Sequence, residues 1–178
     1  MIILYRGPRG RGKTLTMCKD AYNYYLRGFR ILSNFSLTFG EKITAEELLS
    51  LDIKSILFNC VLVIDEIELF FDSRDWNRKE IKFFSQFLQQ LRKRNIIILC
   101  TAQYIDMIEK RIRQQLDVVC YPHFYKNTLI VKCRYFDLTQ LEDLNKLESG
   151  KEANLKPVVV VFDARSIFPL YDTYEILN

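Results

Sequence analysis

The stretch from residue 7 to residue 14 constrains this chain more than any other. It has the spacing G-x-x-x-x-G-K-T, and it lies between the apolar run of residues 2–5 and a stretch of helical apolar periodicity that begins at Leu15. A strand, this loop and a helix in that order form a P-loop. Its glycines let backbone N–H groups wrap a polyphosphate, and the helix N-terminus faces the negative charge. The sequence therefore predicts a nucleoside triphosphate site near the start of the chain.

Two side chains of this loop are expected to act directly. Lys13 is predicted to reach the β- and γ-phosphates, and the Thr14 hydroxyl to ligate Mg²⁺. The predicted nucleotide-binding stretch consists of Gly7, Pro8, Arg9, Gly10, Arg11, Gly12, Lys13, Thr14 and Leu15. ATP and Mg²⁺ are therefore the expected cofactors.

A second informative stretch ends in two acids. Residues 61–64 read Val-Leu-Val-Ile, which is typical of a strand buried on both faces, and Asp65 and Glu66 follow directly. A carboxylate at this position suits Mg²⁺, so we expect Asp65 to hold the metal shell and Glu66 to orient or deprotonate the attacking water. Asp65 could alternatively cap a helix. Glu68 and Asp72 are lesser candidates, and the favoured interpretation is that both are solvated.

A third apolar run, residues 96–100, is followed by Thr101, Ala102 and Gln103. Ligands of open α/β sheets bind outside the carboxyl ends of strands. Gln103 is therefore a candidate sensor of the γ-phosphate or the attacking water, and the alternative is a cap on a helix predicted over residues 104–115.

The segment before this run predicts an amphipathic helix over residues 78–92, with basic residues at both ends. Arg92 and Arg94 belong to the second basic cluster. Three interpretations stay open for these charges: a solvated helix face, a phosphate-contacting surface, or arginine fingers.

Composition sets the outer limits. A chain of 178 residues with 49% apolar and 27% charged residues suits one globular domain over residues 1–178. A net charge of +4 is compatible with a nucleic-acid partner but does not establish one. Five cysteines without a C-x-x-C spacing favour reduced thiols in a cytoplasmic setting. The apolar runs are strand-sized, so no membrane span is expected, and His123, the only histidine, is interpreted as structural.

Taken together, these segments resemble the additional-strand P-loop NTPases. More narrowly the sequence resembles the FtsK–HerA superfamily of DNA-pumping motors, and within it the zonula occludens toxin-like proteins, which include filamentous-phage gene I assembly proteins. The resemblance rests on residues 7–14, 61–66, 70–76 with their Ser-Arg-Asp-Trp, 86–94, 97–103 and the Tyr-Asp-Thr of residues 171–173.

The resemblance implies a three-layer α/β fold with a mostly parallel sheet in the order 5-1-4-3-2. Residues 128–136 and 158–163 add further strands toward the C-terminus, the first of them predicted to be antiparallel. The resemblance also implies that Gln103 is the sensor and that an arginine before its strand reaches a neighbouring subunit's site. Arg92 and Arg94 match that location, with Arg74, Arg111 and Arg113 as alternatives.

The implied function is an ATPase that assembles as a ring of identical subunits and moves DNA. Viral genome packaging and phage-type extrusion fit equally, with virion or membrane assembly proteins as further partners and the host cytoplasm or virion as location. Toxin-like relatives usually continue into a membrane span and a periplasmic tail, whereas this chain stops, so membrane anchoring stays open. Two alternatives stay open, a small P-loop kinase and a nucleotide-switched assembly module, and the Asp65-Glu66 pair weighs against both.

Overall fold

Eight strands form one mixed sheet in the computed structural model, which describes residues 1–50, 57–70, 86–108, 110–141 and 154–172. In chain order the strands are β1 (Ile2–Arg6), β2 (Arg30–Ser33), β3 (Glu41–Lys42), β4 (Cys60–Ile64), β5 (Ile96–Ala102), β6 (Val118–Tyr125), β7 (Ile130–Asp137) and β8 (Val158–Asp163). The helices are α1 (Lys13–Tyr25), α2 (Ala45–Ser50), α3 (Ile67–Phe70) and α4 (Lys110–Gln114), and residues 86–90 are also helical.

The strands follow the order β3-β2-β4-β5-β1-β6-β7-β8. All neighbours from β2 to β6 are parallel, whereas β6, β7 and β8 pair antiparallel. The five long parallel strands, in chain order, are β1, β2, β4, β5 and β6. Numbered one to five and followed across the sheet from β6 to β2, they have the predicted order 5-1-4-3-2. That prediction is therefore confirmed, together with the antiparallel extension. Because β1, β4 and β5 run in one direction, the segments that follow them meet at one edge of the sheet.

The sheet is covered on both faces, which explains why its central strands are apolar throughout. Every residue of β4 and β5 is buried. Met17, Cys18 and Ala21 of α1 pack on one face, and Leu88 and Leu91 lie in the core on the other face. Gly28, just after α1, adopts a φ of 84° and donates its N–H to the Tyr25 carbonyl at 2.9 Å, which ends the helix.

One predicted helix is wrong. Residues 104–115 form a 3-10 turn (Ile105–Met107) and the separate short helix α4, because Ile108 has an extended backbone with φ −79° and ψ 137°. Ile105, Ile108 and Ile112 have helical spacing and are all buried, but β-branched side chains favour a helix only weakly. Residues 71–85, with Asp72, Arg74 and most of the predicted 78–92 helix, lie outside the described residues.

The segment after β8 returns across the face covered by α1. Ala164 and Ile167 are buried there, and the Thr38 N–H donates to the Leu170 carbonyl at 3.0 Å. All five cysteines are buried and free. Among the described residues no helix is both long and apolar enough to span a membrane.

Candidate nucleotide-binding site

The loop between β1 and α1 has the backbone that a phosphate-binding turn requires. Gly12 immediately precedes α1 with a φ of 85°, and Gly10 has a φ of 74°, which L side chains rarely adopt. A Cβ at Gly12 would also lie 3.2 Å from the Cβ of Phe124, whereas a Cβ at Gly10 would have nothing within 4 Å. The first N–H groups of a helix lack partners within it, so this turn leaves those of α1 for an anion.

Lys13 opens α1 beside a group of acids. Its Nζ donates to the Pro8 carbonyl at 3.2 Å. Burial lowers the pKa of Lys13, while the charges of Asp65, Glu66 and Glu68 act in the opposite direction. The predicted phosphate-binding lysine and the predicted acids therefore belong to one electrostatic site, although about fifty residues of chain separate them.

Two hydroxyls hold the Asp65 carboxylate. Thr14 Oγ1 donates to it, at 3.1 Å from Oδ1 and 3.0 Å from Oδ2, and Thr101 Oγ1 donates to Oδ1. Burial raises the pKa of Asp65, and the hydrogen bonds from both threonines oppose that rise. The structure thus brings together Thr14 and Asp65, as predicted. Thr101 was not predicted to take part, although a polar residue that ends an apolar strand at this edge was the available signal.

Thr14 and Asp65 fit a magnesium ion. Both offer hard oxygen donors, which Mg²⁺ prefers, and Mg²⁺ commonly takes only one or two carboxylates together with phosphate oxygens and water. Within the described ranges no three His, Cys, Asp or Glu side chains converge as a metal cage. An ion held here would therefore need oxygens from a bound nucleotide and from water.

Asn34, directly after β2, fixes the backbone of the turn at Asp65 and Glu66, which we call the acid turn. Its side-chain amide donates to the Asp65 carbonyl at 2.9 Å, and its Oδ1 accepts from the Asp65 N–H at 2.8 Å. The next residue, Glu66, has a φ of 51°, which is uncommon for a side-chain-bearing residue. Its N–H donates to Thr101 Oγ1 at 2.9 Å. Asn34 and Thr101 together hold this strained turn, which carries the two adjacent acids Asp65 and Glu66.

Glu68 is not the solvated acid that the sequence suggested. It is half-buried, and its Oε2 is buried without a hydrogen-bond partner among the described residues. Burial raises the pKa of Glu68, whereas the backbone N–H groups of Glu68 and Gln103 act to lower it. Gln103 itself is half-buried directly after β5, at the edge where the P-loop and Asp65 lie.

Arg92 and Arg94 lie at the opposite edge. They precede β5, whose Ile98 and Ala102 pair with Ile2 and Arg6 of β1, so the five-residue length of β1 separates them from the P-loop by roughly 16 Å. Arg92 Nη2 donates to Asp117 Oδ1 at 3.1 Å with its side chain 80% exposed. Neither arginine can reach the P-loop of the same chain from this position.

Comparison with known proteins agrees with this geometry. The sequence matches the family model "ATPase family associated with various cellular activities (AAA)" over residues 3–123. No curated protein sequence matches the chain. Similar folds occur in the N-terminal domain of zonular occludens toxin from Neisseria meningitidis, with TM-score 0.67 at 15% identity over 96% of this chain and 98% of that chain. They also occur in B204, the DNA-packaging ATPase from Sulfolobus turreted icosahedral virus, with TM-score 0.50 at 17% identity over 93% of each chain.

The ATPase domain of G40P is a further structural relative, with TM-score 0.55 at 10% identity over 98% of this chain and 84% of that chain. Identities this low establish the fold alone, and the predicted resemblance to toxin-like and packaging ATPases is confirmed at that level. Because the family model extends from β1 through the P-loop and acid turn to β6, the chain belongs to the AAA family of ATPases and has the fold of a P-loop NTPase.

Proposed function

We propose that this protein is an ATP-hydrolysing motor that moves DNA, working as a ring of identical subunits in viral genome packaging or phage-type extrusion. The observation that carries the ATPase part is the convergence of Lys13, Thr14 and Asp65 at one edge of the sheet. The similarity of the fold to a DNA-packaging ATPase over 93% of the chain supports the DNA part.

Each residue of the site has a role in this proposal. The amides of residues 7–15 and Lys13 bind the phosphates of ATP, and Thr14 and Asp65 would hold a Mg²⁺ ion, which would supply positive charge to the phosphate oxygens. A water oxygen attacks the γ-phosphorus, the bond to the ADP oxygen breaks, and Glu66 accepts the proton of the water. Gln103 orients that water or contacts the γ-phosphate.

The neighbouring subunit completes the site. Arg92 and Arg94 lie too far from their own P-loop, so they would act in trans, where an arginine is worth about 10³–10⁵ in rate in other systems. The Arg92 side chain is 80% exposed in its ion pair with Asp117, and Asp117 would keep its hydrogen bond from the Ile2 N–H at 2.7 Å if that pair opened. A partner's nucleotide could therefore displace it at small cost, which would couple hydrolysis to subunit contact.

The test of the hydrolytic site is Glu66→Gln. We expect the variant to bind a fluorescent ATP analogue normally but to release phosphate about 10²- to 10⁴-fold more slowly, the usual contribution of a general base. Glu46→Gln, at an exposed position of α2, is the matched control and should behave as wild type. Hydrolysis by Glu66→Gln at the wild-type rate would show that another group takes the proton.

The motor part needs separate measurements. Phosphate release should increase when DNA is added, and the mass in solution should rise from monomer to ring with a non-hydrolysable ATP analogue. An active ATPase that stays monomeric and ignores DNA would refute the motor while leaving the ATPase intact.

A further inference from the structure

We infer that the exposed face of the antiparallel extension, opposite the face covered by α1, binds single-stranded nucleic acid. The register defines this face. His123 pairs with Lys132, which pairs with Val161, and Arg134 pairs with Val159. Residues directly opposite each other in a sheet share a face. We call the set His123, Tyr125, Lys132, Arg134, Val159 and Val161 the basic face.

The alternation along β7 shows that this face is open. Val131 and Cys133 point into the core and are fully buried, whereas Lys132 and Arg134, which alternate with them, are exposed. Val159 and Val161 are 49% and 58% exposed, and Tyr125 is 46% exposed. Large apolar side chains that lie in the open between cations indicate a surface that contacts something else.

The positive charge of this face favours the binding of an anion. Lys132 and Arg134 form no ion pair with any other residue in the described part of the chain. The register also places Asp163 here, but Arg165 neutralises it with a hydrogen bond from Nε at 2.9 Å. The described part of the face thus has an excess of positive charge suited to a phosphate backbone.

Arg11 of the P-loop and Arg6, directly before the loop, extend this charge. Arg11 Nη1 lies 2.5 Å from His123 Nδ1, and Arg6 Nη1 donates to the Tyr121 hydroxyl at 3.4 Å. Both guanidinium groups therefore lie along β6, and the contact with Arg11 is consistent with the structural role predicted for His123.

The rings on β6 favour single strands over duplex. The rings of His123 and Tyr125 are 4.5 Å apart and tilted by 51°, and Tyr125 is open to solvent. Exposed aromatic rings between cations are the pattern on which unpaired bases stack, while a duplex keeps its bases out of reach. Val159 and Val161 add apolar surface for base edges.

The face is joined to the ATP site, and this step rests on the proposed function. Arg11 belongs to the P-loop, and Gly12 lies against Phe124, the residue between His123 and Tyr125. A phosphate at the basic face competes with His123 for Arg11, so it acts on the same loop that binds ATP. Strand binding and hydrolysis should therefore influence each other.

The experiment is fluorescence anisotropy with a labelled oligo-dT strand and the matching duplex, over a series of salt concentrations. Lys132→Ala/Arg134→Ala should lower the magnitude of the log-log salt slope by about 1.4, because each lost phosphate contact on a single strand contributes about 0.7. Tyr125→Ala should weaken strand binding about 5- to 150-fold, the range for loss of one stacking ring. Arg27→Ala/Lys42→Ala, which removes two exposed cations elsewhere, should match wild type.

Phosphate release without DNA is measured on every variant, because these residues lie outside the proposed catalytic groups and basal hydrolysis should persist. If both basic-face variants bind oligo-dT with wild-type affinity, the basic face is not the binding surface, while the proposed motor function is unaffected. Tighter binding of duplex than of oligo-dT, or no DNA binding by an active wild-type ATPase, would also overturn the inference. The second of these results would refute the DNA part of the proposed function as well.

Discussion

Replacing Thr101 with valine should reduce both stability and turnover, because one hydroxyl serves two groups of the acid turn. It donates to the Asp65 carboxylate and accepts from the Glu66 N–H, and Thr101 is fully buried. A hydrogen bond to a charged group is worth about 1.5–3 kcal/mol and a neutral one about 0.5–1.5 kcal/mol. The expected loss is about 2–4 kcal/mol of unfolding free energy, or roughly 4–16 °C in Tm for a chain of this size.

Turnover should fall further than stability alone explains. Without the hydroxyl the strained φ of Glu66 has one hydrogen bond fewer to hold it, so Asp65 and Glu66 lose their common orientation. We expect kcat to fall about tenfold or more, which corresponds to about 1.4 kcal/mol of barrier. The measurements are urea denaturation without nucleotide and phosphate release at saturating ATP and Mg²⁺.

Two variants control for this result. Thr101→Ser keeps the hydroxyl and should retain most of both properties. Thr16→Val removes another fully buried hydroxyl, which donates to the neutral Gly12 carbonyl at 2.8 Å, and should cost only about 0.5–1.5 kcal/mol. If Thr101→Val is as stable and active as wild type, or if serine is as damaging as valine, the hydroxyl does not hold the acid turn.

Two further predictions concern the loop and the core. Gly12→Ala should destabilise the protein more than Gly10→Ala in urea denaturation. Both substitutions place a side chain on a left-handed backbone, which costs about 1–2 kcal/mol, but only the Cβ at Gly12 would also crowd Phe124. Equal losses of unfolding free energy would refute the steric part. Burial raises the pKa of the Cys60 thiol to about 11, so the unfolded thiol ionises before the folded one and the unfolding free energy should fall as pH rises from about 9 to 11. Cys60→Ala should have a shallower decline over that range, and an unchanged decline would contradict the assigned cause.

The sequence was sufficient for features that depend on local backbone demands. The glycines and Lys13 and Thr14 mark the P-loop because the turn tolerates few other residues, and the apolar run before Asp65 marks a strand buried on both faces. The order of the parallel strands followed from the resemblance that these motifs support, and the sheet confirms it. Local pattern failed at residues 104–115, where three isoleucines have helical spacing but Ile108 is extended.

Only the tertiary structure decided which side chains meet. Thr101 and Asn34 contact the acid turn from 36 and 31 residues away in the chain, and Arg11 contacts His123 from 112 residues away. Such contacts depend on which strands are neighbours and on the register between them. The alternation of apolar and polar residues along a strand indicates which of its faces is buried, but it does not indicate which residue of another strand lies opposite. For that reason the acids were visible in the sequence, whereas the groups that hold them, and the basic face beside the P-loop, emerged only from the pairing of the strands.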